Sequence, residues 1–175
     1  AERESSDANT TVRVNILLGA TYLEQRKWTS AIEEYKAAEH LALKSSDIFM
    51  LNKQNYLAEA RLKQGIAMVK SHRNAEAIPP LLAFIGEHKK DNRRDQALFW
   101  LGEAYYRSDL LNNAVDTYTK LIETYPESEY NEGALYGLGW SYFRLKNFSK
   151  SSSIFNKLIA EYPESNYNVE VLARQ

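Results

Sequence analysis

From Val12 onward apolar residues return at steps of three and four, the spacing that places side chains on one face of a helix. Leu18, Gly19, Tyr22 and Leu23 share a face, and Gln25-Arg26-Lys27 closes that first helix. Ser30 with Glu33 reads as a capping box for a second helix, whose stripe is Ala31, Tyr35, Ala38 and Leu41. Residues 45–56 break the pattern at Ser45-Ser46-Asp47, and Ile48-Phe49-Met50-Leu51 resumes it. The third helix is therefore expected to start early and to run through Tyr56, Ala60, Leu62 and Gly65 to about Lys70. After a turn at Ser71-His72-Arg73-Asn74, a fourth helix carries Ala77, Leu81 and Phe84, with Pro79-Pro80 expected near its first turn. A charged connector, Glu87 to Arg94, precedes two regular helix pairs over 95–107 with 111–124 and 131–145 with 148–161. Leu98, Leu101, Gly102 and Tyr105 face Ala114, Tyr118, Leu121 and Ile122 in the first of these. In the second, Leu135, Leu138, Gly139 and Tyr142 face Ser151, Phe155, Leu158 and Ile159. Residues 1–11 are polar and weakly patterned, a frayed helix end or a disordered leader.

The two regular pairs are copies. Leu101-Gly102, Tyr105, Arg107, Lys120-Leu121-Ile122, Tyr125-Pro126-Glu127-Ser128 and Tyr130-Asn131 all return 37 positions later. They reappear as Leu138-Gly139, Tyr142, Arg144, Lys157-Leu158-Ile159, Tyr162-Pro163-Glu164-Ser165 and Tyr167-Asn168. A fixed period of this size marks a solenoid of stacked supersecondary units. Short connectors make the paired helices antiparallel neighbours, and Pro126 and Pro163 end the second helix of each pair.

These spacings resemble the tetratricopeptide (TPR) repeat: Leu-Gly, an aromatic three residues on, then Ala, a second aromatic and Pro. Around Gly102 the set is Leu101, Tyr105, Ala114, Tyr118 and Pro126. Around Gly139 it is Leu138, Tyr142, Ser151, Phe155 and Pro163, and around Gly19 it is Leu18, Tyr22, Ala31 and Tyr35 with Leu43 in the Pro place. Around Gly65 the match is weakest, with Gln64, Met68, Ala77, Leu81 and Lys89. Small residues at the crossing let the helices approach, because a side chain larger than methyl would overpack it. The resemblance implies an all-α fold, a right-handed α-α superhelix (TPR solenoid) of about four helix pairs plus a truncated last helix. The expected organisation is a single array over 1–175. Repeats fall at about 12–45, 57–91, 95–128 and 132–165, with an insertion at about 46–56 and the start of a fifth repeat at 166–175. The 37-residue step closed by Tyr-Pro-Glu-Ser is similar to bacterial cell-envelope TPR proteins, the outer-membrane assembly lipoproteins and Tol–Pal coordinators. The resemblance thus implies a periplasmic or envelope location, with the cytoplasm left open.

In such arrays the first helices line a concave groove. The corresponding positions here are Phe99, Glu103, Tyr106 and Arg107 in one pair and Tyr136, Trp140, Phe143 and Arg144 in the next. Aromatic and Arg residues dominate binding hot spots, so a peptide or helical segment of a partner is expected across these rings, with the two arginines free to meet a carboxylate. The earlier groove positions are Leu62, Ile66, Val69 and Lys70, and Ile16, Ala20, Leu23 and Glu24. The Lys/Asn/Asn/Lys/Arg clamp by which some TPR proteins grip a terminal carboxylate is missing. Its two registers hold Ile16, Ala20, Lys63, Gln96, Trp100 and Leu62, Ile66, Trp100, Gly133, Gly137. Val169, Leu172 and Ala173 open a fifth first-helix, whose exposed end offers a route to self-association.

Composition narrows the chemistry. Hydrophobic residues are 44% and charged residues 26% of 175, the balance of a globular chain. Acids number 23 against 22 bases, for a net charge of −1, which argues against nucleic acid as partner. No cysteine is present, so thiol chemistry and Cys-based zinc sites are excluded. No apolar run approaches the ~18 residues of a membrane span, and the polar start Ala1-Glu2-Arg3-Glu4 is no signal peptide. His40, His72 and His88 lack ligand partners at helical spacing, and Glu33-Glu34 point to different helix faces. Lys89, Lys90, Arg93 and Arg94 alternate with Glu87, Asp91 and Asp95, the pattern of a solvated loop. Asn9-Thr10-Thr11 and Asn147-Phe148-Ser149 match a glycosylation acceptor pattern that has no meaning in the bacterial setting the resemblance implies. No catalytic residue, metal site or cofactor is expected. The reading is a non-enzymatic protein-interaction scaffold; the alternative is a regulatory or substrate-recruiting TPR module of a larger enzyme or transport complex.

Overall fold

Four tight turns set the architecture. Arg26, His72, Asp109 and Lys146 all adopt left-handed backbone, with φ of 56°, 62°, 62° and 60°. Each follows a helix whose last carbonyls it closes. The amide of Lys27 donates to Tyr22, Arg73 to Met68, Leu110 to Tyr105 and Asn147 to Tyr142, at 2.8–2.9 Å. A left-handed residue past the helix end reverses the chain and satisfies orphan carbonyls. None of the four is glycine, so each turn carries the steric cost of a Cβ. The next helix begins at once, which leaves no room for the expected capping box. The second helix starts at Trp28 after Lys27, and Ser30 and Glu33 already lie inside it.

The computed structural model describes residues 2–45 and 52–173, and every element there is a helix. The chain divides into two compact units, Ala1–Asp91 and Asn92–Gln175. The first holds α1 (Glu2–Glu24), α2 (Trp28–Lys44), α3 (Lys53–Lys70) and α4 (Asn74–Glu87). Each packs on the next, and α1 also meets α3. Residues 2–11, read as a frayed end or leader, are helical and continuous with α1. Among the residues of that helix whose burial is described, Val12 and Gly19 are buried, whereas Leu18 is 40% exposed, against the expected shared face. On α2 Ala31, Ile32, Tyr35, Ala38 and Ala42 are buried, with Ala42 rather than Leu41 completing the stripe. The third helix starts at Lys53; Ile48 to Leu51, expected to open it, lie outside the described residues. Pro79 and Pro80 stand inside α4, in its second turn rather than its first, and the helix continues to Glu87.

The second unit holds α5 (Arg94–Arg107), α6 (Leu111–Thr124), α7 (Asn131–Arg144), α8 (Phe148–Glu161) and the short α9 (Tyr167–Leu172). Its core is organised by rings seated on glycines. A Cβ on Gly102 would come within 2.5 Å of the Tyr118 ring, and one on Gly137 within 2.6 Å of the same ring. Tyr118 is thus clasped between the first helices of two successive pairs, so even a methyl group, not only something larger, would overpack the crossing. Phe155 seats on Gly139 in the same way.

The Tyr-Pro-Glu-Ser-x-Tyr-Asn stretches form the connectors between pairs. Pro126 and Pro163 follow the C-caps Tyr125 and Tyr162. Buried Asn131 then donates its side-chain amide to the carbonyls of Tyr125 and Pro126, both at 2.8 Å. Asn168 does the same to Tyr162 and Pro163, at 2.8 and 3.0 Å. The repeated Asn therefore serves carbonyls beyond the helical ladder, of which those of Tyr125 and Tyr162 also accept from the amides of Ser128 and Ser165.

Candidate functional site

The first helices α5 and α7 lie against each other across α6, and side chains on their shared face form a cavity of about 320 Å³. Glu103, Tyr106 and Arg107 of α5, Tyr136, Gly137 and Trp140 of α7, and Glu170 of α9 line it. Five of the eight groove positions named from sequence thus meet at one place. The other three lie elsewhere. Phe99 stacks on Tyr130, with ring centres 5.3 Å apart, and covers Gly133. Phe143, 40% exposed, packs edge-on against Trp140 and against Phe148. Together with Phe148, Phe155 and Val171 these two rings border a second cavity of about 310 Å³. Arg144 lies over the Tyr106 ring at 5.0 Å.

Both arginines already have acidic partners. Arg107 donates two bonds to Glu103 Oε2, at 2.9 and 2.7 Å. Arg144 pairs with Asp109 at 2.7 Å and donates to the Tyr106 carbonyl at 3.1 Å. A carboxylate on a ligand would have to displace these pairs. Glu103 Oε1 in turn accepts from the buried Tyr118 hydroxyl at 2.7 Å. Burial first, then Glu103, raises the Tyr118 phenol well above its ordinary range, so it stays a donor.

Trp140 is nearly buried at 7% exposure, held edge-on by Tyr136, Phe143 and Phe155. Tyr136 stacks on Tyr167 of the α9 segment, with centres 4.2 Å apart, and donates to Glu170 at 2.6 Å. Burial and then that bond push the Tyr136 phenol up to about 12. Glu170 and Tyr167 were not among the groove positions named from sequence. The sequence offered only that Tyr167 repeats Tyr130; that Tyr167 stacks on Tyr136 as Tyr130 stacks on Phe99 emerges from the structure.

Among the described residues no group of three or more His, Cys, Asp or Glu could hold a metal ion. No described helix is long and apolar enough to cross a membrane.

Residues 96–128 and 133–165 match the family model of the tetratricopeptide repeat. Those two segments hold the ring-on-glycine pairs and every residue lining the first cavity except Glu170. Among solved structures, the fold is similar to MamA (residues 41 to the end) from Desulfovibrio magneticus RS-1, with a TM-score of 0.72 at 16% identity. That match covers 89% of this chain and 77% of the other. A structure described as the MamA RS-1 ArsTM double mutant is similar at a TM-score of 0.71 and 16% identity, with the same coverage. Among curated proteins none matches the sequence. The fold is all-helical, built of TPR-type helix pairs, a framework suited to a protein-interaction module.

Proposed function

We propose that this chain is a non-catalytic interaction scaffold whose second unit receives a peptide or helical segment of a partner protein on the rings of α5 and α7. The observation that supports this most is the cavity itself. It is lined by Tyr106, Tyr136 and Trp140 from two successive first helices, with ordered polar groups around them. Rigid aromatic side chains in a concave, partly desolvated site are the usual anchors of binding energy. A volume near 320 Å³ suits one or two inserted side chains of a longer segment. The Tyr-Pro-Glu-Ser connectors support a place in bacterial cell-envelope assembly for this scaffold.

The test is a random-peptide phage selection on the 175-residue protein, repeated on Tyr106→Ala and Tyr136→Ala. Peptides selected by the unmodified protein should lose at least tenfold in affinity for both variants, while circular dichroism reports unchanged helicity. Undiminished binding to both folded variants, or no enrichment at all, overturns the proposal.

A further inference from the structure

The repeat around Gly65 fits the family pattern least, and its departures meet at one place in the first unit. Gln64 stands where Leu101 and Leu138 stand in the later copies, and Met68 where Tyr105 and Tyr142 stand. Both line a cavity of about 490 Å³ bounded by α2, α3 and α4, with Glu76, Pro79 and Pro80 on its α4 wall. Gln64 is as buried as the leucines it replaces, at 4% exposure against 3% and 4%. Among the described residues its amide meets no hydrogen-bond partner, and the cavity is where it opens. A buried amide without a partner costs free energy, so a group able to pair with it gains from entering.

A second acceptor follows from the prolines. Helical carbonyls accept from amides three or four residues further on. For Glu76 those residues are Pro79 and Pro80, and neither carries an N–H. Its carbonyl points along α4 toward Pro80, on the strip that walls the cavity. The acids of the lining are already matched, since Glu39 accepts from Arg61 and both carboxylate oxygens of Glu76 accept from Arg73. Lys36 is exposed to water. The cavity therefore leaves three groups to be met: the Gln64 carbonyl, the Gln64 N–H donors and the Glu76 carbonyl. A carboxylate brings no donor, an ammonium or guanidinium no acceptor, and a hydroxyl a single donor. A primary amide brings two N–H donors and one carbonyl, enough for all three. We infer that this cavity takes the carboxamide of an Asn or Gln side chain from a partner protein, paired with Gln64 and with the Glu76 carbonyl. The inference stands apart from the peptide-binding reading of α5 and α7.

The probes are the N-acetyl N-methylamides of glutamine, norleucine, glutamate and lysine, titrated against protein labelled with ¹³C-methyl methionine. The readout is the Met68 methyl, one of two methionine signals, assigned by Met68→Leu. The glutamine derivative should shift it saturably, with a dissociation constant at least threefold below those of the other three, which carry the same backbone amides. Gln64→Leu installs the residue of the later copies. In that variant, with helicity unchanged by circular dichroism, the glutamine derivative should bind no better than norleucine. Gln64→Met serves the same comparison if the leucine variant does not fold. Norleucine binding as well as glutamine would mean that backbone amides or apolar contact suffice. Stronger binding of glutamate would make this an anion site governed by Lys36, and no response to any probe would leave a hydrated cavity only. Each of these overturns the inference, as does an undiminished glutamine preference in the folded Gln64 variant. None of them bears on the rings of α5 and α7, so the peptide-binding reading stands or falls on its own test.

Discussion

The two units use the same helix-turn-helix grammar, and in the first too a side chain seats on each first-helix glycine, Tyr35 on Gly19 and Leu81 on Gly65, but each unit adds a different tie. In the second, rings seat on glycines and a buried Asn closes each connector, so the tie is local and repeats every 37 residues. In the first, Arg61 of α3 is 5% exposed and binds Glu39 of α2 at 2.8 Å and Glu87 of α4 at 2.6 Å. One charged side chain there spans three helices. The regular half adds a small contact that recurs at each connector, and the irregular half adds a concentrated one. By contrast Arg73–Glu76, an exposed pair three residues apart, adds little, since water competes for both groups.

That contrast can be broken most sharply at Arg61. Arg61→Ala removes the shared partner of two carboxylates and should cost about 3 kcal/mol in chemical denaturation, the low end for a broken buried pair, because Glu87 remains half exposed to water. If the loss is below ~1 kcal/mol, the triad is an ordinary surface pair and the contrast between units fails. Next comes Gly102→Ala. Its Cβ would strike the Tyr118 ring, which Gly137 pins from the other side, so a loss of about 2 kcal/mol is expected. Gly86→Ala is its control, because nothing lies within 4 Å of the added Cβ. There the gain in helix propensity should stabilise by up to ~1 kcal/mol. A loss at Gly86 to match that at Gly102 would mean that ring seating is not the cause.

Asn131→Ala removes both bonds to the Tyr125 and Pro126 carbonyls and should lower stability by about 1–2 kcal/mol. Hydrogen exchange should rise first in the connector over 125–131, and Asn168→Ala should act alike on 162–168. The smallest effect is at the turns. Lys146→Gly relieves a left-handed residue with an exposed side chain and should raise stability by about 1 kcal/mol, visible as a higher thermal midpoint. A neutral or negative result would show that the turn is set by tertiary packing rather than by its own backbone preference.

Much of this protein was legible from residue order because its contacts are periodic. The step of 37 places Gly102 over Tyr118 and Gly139 over Phe155, and the apolar stripes of α5 to α8 follow directly. The groove positions followed by analogy with repeat geometry, and five of them line one cavity. Which rings turn inward could not be read, since Phe99 on Tyr130 and Tyr136 on Tyr167 depend on partners more than thirty residues away. Ser30 and Glu33 misled because the capping-box pattern describes one helix start in isolation. The left-handed turn at Arg26 had already started α2 before Ser30 was reached.

What the sequence by itself determined is therefore what local spacing can encode: helix positions, the small residues at crossings, and the prolines that end helices. Tertiary structure alone decided the rest. It assigned Arg61 to two acids far apart in the chain, gave Arg144 its acidic partner Asp109, and brought Glu170 beside Tyr136. The physical reason is that periodicity records which face a residue occupies, whereas charge pairing and ring stacking depend on distances between elements that the order of residues does not contain.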